Sequence, residues 1–376
     1  MTEPDLLDGV ALHGSAELRP VDDGSGSDEG AWCPQRVPES VRRRLNATAR
    51  RKLRRPAGVE LRFVGRGPVT VRLSAPDGGA VRTFWGPFQH GRVELGPEPR
   101  PVTIERPATI GRLVDAGAAG DAGAAGDAGA AGDAVDAPDH DLDLDGDDSG
   151  FAPGVGRIAL QAYPGRVHVH SVAATDAEAP TSADLPDRTL LAYGTSITQG
   201  NAASADHLSY PAATARRLGA DLVNLGCGGS AYCEAAMADY VAGRDDWDVA
   251  VLELSVNMID RFDVATFRER AGAMLDAVAA ADHGRPVVAV SLLPHYRDLP
   301  GADPIAAAEA DRFRDALADL VAASPHPNLS LVPGPELLDV AGLSADLLHP
   351  GDAGMATIAE RLAPRISASW GSGDGE

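Results

Sequence analysis

The second half of the chain alternates short apolar segments with Ala-rich stretches whose apolar residues recur at helical spacing. The apolar segments lie near residues 189–193, 221–225, 248–254, 286–293 and 329–332. The helical stretches lie near residues 209–218, 264–281 and 303–323. Strands that alternate with helices specify a parallel sheet covered by helices on both faces. The pattern therefore predicts an α/β domain over residues 186–376, which follows a linker at 181–186.

The first 185 residues carry a different pattern, in which short β-like runs are separated by Gly and Pro. Residues 10–18 alternate apolar and polar side chains as one half-buried strand, and 59–63 and 69–73 repeat the alternation. Further β-like runs lie near 80–84, 91–95, 102–105 and 157–172. Many short strands predict an all-β sandwich over residues 1–185. Residues 115–150 first repeat Asp-Ala-Gly-Ala-Ala-Gly and then become Asp-rich, which predicts a disordered insertion in this domain.

Composition narrows the class of protein and its partners. The 376 residues carry a net charge of −22, and Lys52 is the only lysine. Such a charge repels nucleic acid and anionic membranes, and it suggests adaptation to high intracellular salt. Three cysteines fit no disulfide framework, no apolar run is long enough to span a bilayer, and the acidic N-terminus does not resemble a signal peptide. We therefore expect a cytoplasmic protein, and the sequence leaves its oligomeric state open.

One acidic segment resembles a metal site without completing it. Residues 141–146 read Asp-Leu-Asp-Leu-Asp-Gly, like the start of a calcium loop. The twelfth position of that loop is Ala152, where a bidentate Glu is required. We predict neither a metal nor an organic cofactor.

Four blocks of the second half carry residue types that acyl transfer requires, and each follows a predicted strand or lies in the last loop. They are Gly194-Thr195-Ser196, Asn224 to Ser230 with Gly228-Gly229, Glu253 to Asn257, and Asp346 to His349. In open α/β sheets, chemistry gathers in the crevice beyond the carboxyl ends of the strands. The blocks therefore predict one site at that edge.

The residue types of these blocks predict their roles. The Ser196 hydroxyl needs a base to become a nucleophile, and His349 can supply one, with Asp346 three residues earlier to orient its ring. The N–H groups of Ser196 and Gly229 and the side-chain amide of Asn257 would form an oxyanion hole. Less directly, Tyr210 and His295 are placed to line the substrate cleft, Asp339 is an alternative acid, and Cys227 is an alternative nucleophile.

The four blocks, in this order, resemble the SGNH hydrolase (GDSL-type esterase/lipase) superfamily, and the resemblance covers Leu190 to the C-terminus. The motifs are most similar to the branch typified by the SsfX3 acyltransferase, in which a jelly-roll-like β domain precedes the catalytic domain. The resemblance implies a flavodoxin-like α/β/α domain with a five-stranded parallel sheet. It also implies the same triad and oxyanion hole. Thr195 departs from the Asp of the family's first block, and Met258 from the Asp that usually follows Asn257.

Residues and resemblance together predict a serine esterase that hydrolyses an oxygen ester of a short acyl group or a carbohydrate through an acyl-Ser196 intermediate. The expected substrate is a small acyl ester, with a glycan-linked ester as one form of it. Two alternatives remain open. The first is acyl transfer to a sugar or natural-product hydroxyl, and the second is a carbohydrate-binding protein without activity. The sequence gives neither the acyl length nor the identity of the alcohol.

Overall fold

The computed structural model describes residues 7–370, apart from 8, 22–29, 121–149, 162 and 283. The first half forms antiparallel sheets, here called the β domain, and the second half forms the α/β domain. The calcium-like loop at 141–146 lies outside the described residues. Among the residues described, no helix combines the length and apolarity that a membrane span requires.

The β domain contains two packed antiparallel sheets. Its strands are β1 (Ala11–His13), β2 (Glu17–Pro20), β3 (Trp32–Gln35), β4 (Glu60–Gly65), β5 (Val69–Ser74), β6 (Gly79–Trp85), β7 (Phe88–Leu95), β8 (Arg100–Ile104), β9 (Gly156–Leu160), β10 (His168–Ala174) and β11 (Ala177–Glu178). One sheet has the order β1-β4-β9-β6-β7, with β11 also paired to β4, and the other has the order β2-β3-β10-β5-β8. Alternate side chains of both sheets meet in one apolar core, which includes Phe63, Val71 and Trp85. The predicted all-β sandwich is confirmed as a β domain.

One predicted strand in this half is wrong. The single strand predicted over 10–18 is divided between β1 in one sheet and β2 in the other. Gly14 lies between them at φ +72°, where a Cβ would stand 2.3 Å from the Gly58 carbonyl oxygen, so the chain turns where only Gly fits. Of the insertion predicted over 115–150, the first six residues belong to helix α3 (Ala108–Gly120). Residues 121–149 of that prediction lie outside the described residues.

The α/β domain has the predicted architecture. Its strands are β12 (Arg188–Tyr193), β13 (Ala220–Asn224), β14 (Val249–Glu253), β15 (Val287–Val290) and β16 (Leu329–Val332). Within the described residues these strands form a five-stranded parallel sheet in the order β13-β12-β14-β15-β16. Its helices are α4 (Ser196–Gln199), α5 (Tyr210–Arg217), α6 (Ala235–Ala242), α7 (Val264–Ala281), α8 (Pro304–Ala322), α9 (Gly334–Leu337) and α10 (Asp352–Trp370). Separate apolar clusters pack on the two faces of the sheet, which confirms the three-layer α/β/α fold.

Part of the N-terminal half packs into the core of the α/β domain. Leu45 lies in the turn between the short helices α1 (Glu39–Arg42) and α2 (Ala47–Lys52), and Ala49 lies on α2. Both are buried with Leu53 in the apolar cluster on one face of the parallel sheet. The α/β core therefore includes side chains from before the linker. The division at 185/186 stays a prediction.

Candidate active site

Ser196 begins helix α4, directly after strand β12. The side chain of Thr195 caps this helix by accepting a hydrogen bond from the Ile197 N–H at 3.2 Å. A Cβ at Gly194 would stand 2.3 Å from the Thr198 hydroxyl oxygen and 2.8 Å from the Glu253 carbonyl oxygen, so this turn requires Gly. The strand, the glycine turn and the cap together fix the nucleophile candidate at the carboxyl edge of the sheet.

Ser196, His349 and Asp346 form a continuous hydrogen-bonded chain. The Ser196 Oγ lies 2.8 Å from His349 Nε2, and His349 Nδ1 lies 2.6 Å from Asp346 Oδ2. A carboxylate at that distance requires the proton on Nδ1 in the neutral ring. The Nε2 lone pair therefore faces the serine hydroxyl, which is the arrangement of a general base beside a nucleophile.

Asp346 is held by its own turn. Its Oδ1 accepts hydrogen bonds from the N–H groups of Leu348 and His349 and from the Ser344 hydroxyl, at 2.9 to 3.0 Å. Partial burial alone would raise the pKa of Asp346, but these donors and the His349 ring outweigh burial and hold that pKa well below its usual range. Asp346 is therefore ionised at every pH at which an esterase would work, and it can stabilise a protonated imidazole.

Of the predicted oxyanion-hole residues, Asn257 is held against the loop that carries Gly229 by hydrogen bonds. The Asn257 Oδ1 accepts from the N–H groups of Ser230 and Ala231, at 2.9 and 3.1 Å, so the amide NH₂ group is directed away from them. Gly229 has φ +69°, and no atom lies within 4 Å of a Cβ placed there. In the part of the chain that the structure describes, the N–H groups of Ser196 and Gly229 have no hydrogen-bond acceptor. All three donor groups are thus available to an incoming anion.

Glu253, to which the sequence analysis assigned no role, is a buried carboxyl group behind the nucleophile. Its Oε2 accepts from the Thr195 N–H at 2.8 Å, the Thr195 hydroxyl at 2.6 Å and the Thr198 hydroxyl at 3.0 Å. Burial raises the pKa of Glu253 to about 7, although the hydrogen bonds from Thr195 and Thr198 lower it. A Glu at the end of the otherwise apolar strand β14 was the available sequence signal. The contact also explains the departure at Thr195, whose hydroxyl group ties the turn to β14.

Asn201 was also missed, because no motif marks it. Its Nδ2 lies 3.0 Å from His349 Nε2, and its backbone N–H donates to the Ser196 carbonyl oxygen at 2.8 Å. The Asn201 amide and the Ser196 hydroxyl therefore share the one lone pair of the neutral ring. Any oxygen that receives a proton from Nε2 must also lie near this amide.

Arg36, from the N-terminal half, supports the loop that carries Gly229. Its guanidinium donates to the carbonyl oxygens of Asn224 and Gly226, both at 2.8 Å, and to those of Lys52 and Arg55 at 3.0 and 2.7 Å. Arg36 is 1% exposed. The loop is therefore braced by a side chain from outside the α/β domain.

The less direct predictions are not brought to a cleft surface. Tyr210 is buried, and its hydroxyl lies 2.8 Å from that of Thr198, beneath the nucleophile turn. His295 is 1% exposed and contacts Asp298. Their predicted contact with substrate is therefore not supported by their burial. Helix α5 carries Tyr210, and the loop after β15 carries His295, and in both cases the side chain is turned into the interior.

The alternative acid and the alternative nucleophile occupy other environments. Asp339 pairs with Arg361 at 2.8 Å, whereas Asp346 contacts the His349 ring. Burial raises the pKa of the Cys227 thiol to about 11, so it is protonated at neutral pH and is a poor nucleophile. Among the described residues, no group of three or more His, Cys, Asp or Glu side chains could hold a metal ion.

One protein family matches the part of the chain that carries this site. The profile of the GDSL-like Lipase/Acylhydrolase family matches residues 192–357, which contain all four blocks. No curated protein sequence matches the chain significantly.

Solved structures resemble the chain over nearly its whole length. The salicylyl-acyltransferase SsfX3 from a tetracycline biosynthetic pathway has a TM-score of 0.67 and 15% identity, covering 96% of this chain and 95% of its own. A protein described as GDSL-like lipase from Bacteroides ovatus has a TM-score of 0.65 and 17% identity, covering 97% and 96%. A family two carbohydrate esterase from Cellvibrio japonicus has a TM-score of 0.57 and 13% identity, covering 96% of each chain. At these identities the likeness shows a shared fold, a β domain joined to an α/β domain. By the family match, residues 192–357 form a GDSL-like lipase/acylhydrolase domain of the SGNH superfamily.

Proposed function

We propose that the protein is a serine esterase that hydrolyses an oxygen ester through an acyl-Ser196 intermediate. The observation that carries this proposal is the hydrogen-bonded chain from Ser196 Oγ through His349 to Asp346, with contacts of 2.8 and 2.6 Å. A nucleophile, its base and the base's orienting group stand in the order that acyl transfer requires. Membership of the GDSL-like lipase/acylhydrolase family supports the same reaction class.

The acylation step uses groups of the chain alone. The Ser196 Oγ attacks the ester carbonyl carbon while His349 Nε2 takes its proton. The carbonyl oxygen becomes an oxyanion that the N–H groups of Ser196 and Gly229 and the Asn257 amide stabilise, at about 3–4 kcal/mol for each donor. The intermediate collapses by breaking the bond to the alcohol oxygen, which receives the proton from Nε2 and leaves as the alcohol.

Deacylation reverses these steps with a second nucleophile. Water gives a proton to His349 Nε2 as its oxygen attacks the acyl carbon. The Ser196 Oγ then leaves, takes back the proton and completes the release of a carboxylic acid. Asp346 remains ionised throughout and stabilises the imidazolium in both half-reactions.

The proposed substrate is an ester of a short acyl group, with a carbohydrate as one class of alcohol. Support comes from similar structures that are carbohydrate esterases. One of them, a family two carbohydrate esterase from Clostridium thermocellum with a TM-score of 0.54, was solved in complex with cellohexaose. A second candidate is transfer of the acyl group to a hydroxyl other than water, which the likeness to the SsfX3 salicylyl-acyltransferase favours. We further propose that 1–185 and 186–376 act together, because Arg36 braces the loop of Gly229.

The test is Ser196→Ala, assayed with p-nitrophenyl acetate. We expect turnover to fall by roughly 10⁴-fold or more, because nucleophile and base act as a unit. The matched control is Ser204→Ala, an exposed serine in the following loop, which should keep full turnover. Full activity in Ser196→Ala would refute the assignment. Failure of a fluorophosphonate to label the wild type, together with glycan binding, would favour an inactive carbohydrate-binding protein.

Hydrolysis and transfer are separated by product analysis. With an added alcohol or sugar, a hydrolase yields mainly the free acid, whereas a transferase yields mainly the new ester. The ratio of the two products, measured at increasing acceptor concentration, decides between them. A product ratio that rises with acceptor and saturates would favour transfer, since saturation indicates a bound acceptor.

A further inference from the structure

A cavity of about 270 Å³ lies between the β domain and the edge of the parallel sheet. Its walls come from strands β4, β6 and β9 on one side and from β13 and helix α5 on the other. Neither Ser196 nor His349 lines it. The volume is close to the lower end of small-ligand pockets, which hold roughly 300–1,000 Å³. The cavity is therefore a candidate site separate from the proposed reaction.

One wall of the cavity carries charges that neutralise one another. Arg62 donates to Glu60 at 2.9 Å and to Asp221 at 2.5 and 2.7 Å, and Arg157 donates to Glu60 at 2.5 and 2.8 Å. Burial would raise the pKa of Glu60, but the two arginines lower it to about 2. These four residues form a satisfied ionic cluster across the two domains. They need no ligand to complete them.

Two buried polar atoms of the wall have no hydrogen-bond partner in the described chain. Gln199 is 1% exposed, and its Nε2 is one of them. His207 Nδ1 is the other. Arg216, on α5, also lines the cavity, but it is exposed, so its guanidinium stands at the opening to solvent. Buried polar atoms are normally satisfied, so a ligand with acceptor atoms fits this side of the cavity.

The electrostatic field at His207 favours a negative ligand. Burial, the largest cause, acts together with Arg82, Arg216 and Arg157 to lower the pKa of His207 to about 4, whereas Asp352 acts in the opposite direction. Asp206 also lines the cavity, as the other acidic group outside the ionic cluster. Arg82 and Arg216 lie outside that cluster, and their guanidinium groups set a positive potential around the His207 ring.

Apolar side chains form the rest of the wall. The Phe84 ring meets the His207 ring edge to face at 5.2 Å, and Phe151, Leu208 and Leu222 line the same space. Such walls suit a compact apolar body rather than a polyhydroxylated one.

We propose that this cavity binds a small carboxylate with an apolar body, an aromatic or short aliphatic acid, whose carboxylate lies among His207, Arg216 and Gln199. The same site touches the loop of the proposed oxyanion hole. The Gln199 Oε1 accepts from the Gly228 N–H at 2.9 Å, and Asn224, also in the wall, accepts from the Gly226 N–H at 2.8 Å. If the proposed esterase activity holds, its acid product belongs to the class of ligand that this cavity takes.

The test uses benzoate, with benzamide as its uncharged isostere, and calorimetry plus NMR titration of the His207 ring. In the Ser196→Ala protein we expect benzoate to bind at least about fivefold more tightly than benzamide, because only the anion meets the arginine field. Bound benzoate should also raise the pKa of His207 by about one unit or more, since it offsets the positive potential. Because the readout needs no turnover, loss of the esterase proposal leaves this test intact.

Two arginines of α5 supply the matched pair. Arg216→Gln should weaken benzoate binding about three- to tenfold, whereas Arg217→Gln, an exposed neighbour outside the cavity, should leave it unchanged. Ala212→Trp, which fills the cavity from α5, should abolish the His207 shift. Equal binding of benzamide, equal loss in the two arginine variants, or an unshifted His207 at saturating benzoate would overturn the proposal.

Discussion

Two histidine–aspartate pairs with the same three-residue spacing lie in the α/β domain and have different surroundings. The Nδ1 atom contacts the carboxylate in both, at 2.6 Å for His349 and Asp346 and at 3.1 Å for His295 and Asp298. Beyond that contact they diverge. His349 Nε2 faces the Ser196 hydroxyl, whereas His295 Nε2 is buried and has no partner in the described chain.

The carboxylates differ in the same way. Asp298 is bound by the Arg314 guanidinium at 2.7 Å and accepts from the His295 N–H at 2.9 Å, which closes a short turn. Asp346 has no arginine within ion-pair distance among the described residues, and its donors are its own turn and the ring of His349. One pair fastens a loop to a helix, and the other leaves a base pointing at a hydroxyl. The three-residue spacing predicts that a histidine and an aspartate contact each other. The group that faces Nε2 of the histidine decides whether the pair can act as a base.

The largest expected effect comes from removing the carboxylate of each pair in turn. Asp346→Ala should lower kcat by roughly 10⁴-fold, about 5.5 kcal/mol, because the ring loses its tautomer and the imidazolium loses its counter-charge. Asp298→Ala should change kcat by less than about threefold, but it leaves the partly buried Arg314 without its main partner. We expect it to lower the free energy of unfolding by about 1–3 kcal/mol. Steady-state kinetics and urea unfolding of both variants check this, and a comparable loss of kcat in the two would break the distinction.

This contrast shows which part of the site the sequence could predict. The four blocks could be found because three combine a strand end with a residue type that acyl transfer needs, the fourth places Asp and His three residues apart in the last loop, and the family resemblance fixes their order. Glu253 and Asn201 could not be assigned, because their roles arise from side chains that meet only after folding. Asp346 was separable from Asp339 by spacing alone, but spacing alone would also have selected His295.

The fold was predictable to a similar depth. The parallel sheet could be predicted because short apolar segments alternate with stretches of helical spacing. A buried strand and an amphipathic helix leave these different patterns of apolar residues. The break at Gly14 was missed because alternation continues through it, while the backbone there requires a positive φ. Leu45 and Leu53 are apolar residues that would be expected to be buried, but the sequence does not indicate which of the two cores buries them. They pack into the α/β domain and not into the β sandwich.

The next effect compares two carboxyl groups beside Ser196 with opposite environments. Asp346 has a lowered pKa, so its contribution to stability is present above its unfolded pKa and is lost as pH falls. Glu253 has a raised pKa, so the folded state binds its proton more tightly than the unfolded state does. The resulting contribution to the free energy of unfolding, about 3 kcal/mol, is present at low pH and is lost as pH rises from 4.5 to about 7.

The Glu253→Gln variant isolates the dependence of stability on pH that Glu253 contributes. The amide oxygen can accept the same hydrogen bonds from Thr195 and Thr198, but the side chain does not ionise. We expect the wild type to lose stability relative to the variant between pH 4.5 and about 7.5, measured by urea unfolding at several pH values. Parallel stability curves for the two proteins over this interval would show that Glu253 does not titrate there.

The smallest expected effect tests how the free side of the His349 ring is shared. Asn201→Ala removes an amide that donates to the Nε2 lone pair at 3.0 Å, in competition with the Ser196 hydroxyl. Without that donor the Nε2 lone pair accepts from the Ser196 hydroxyl alone, so kcat should change by only about three- to tenfold. Asn257→Ala is the matched comparison, because its amide contacts Ser230 and Ala231 and not the ring. It should lower kcat by roughly 10²–10³-fold. Steady-state kinetics of the two variants check this order, and a loss in Asn201→Ala as large as that in Asn257→Ala would show that the Asn201 amide is required for catalysis and is not merely a competitor for the ring.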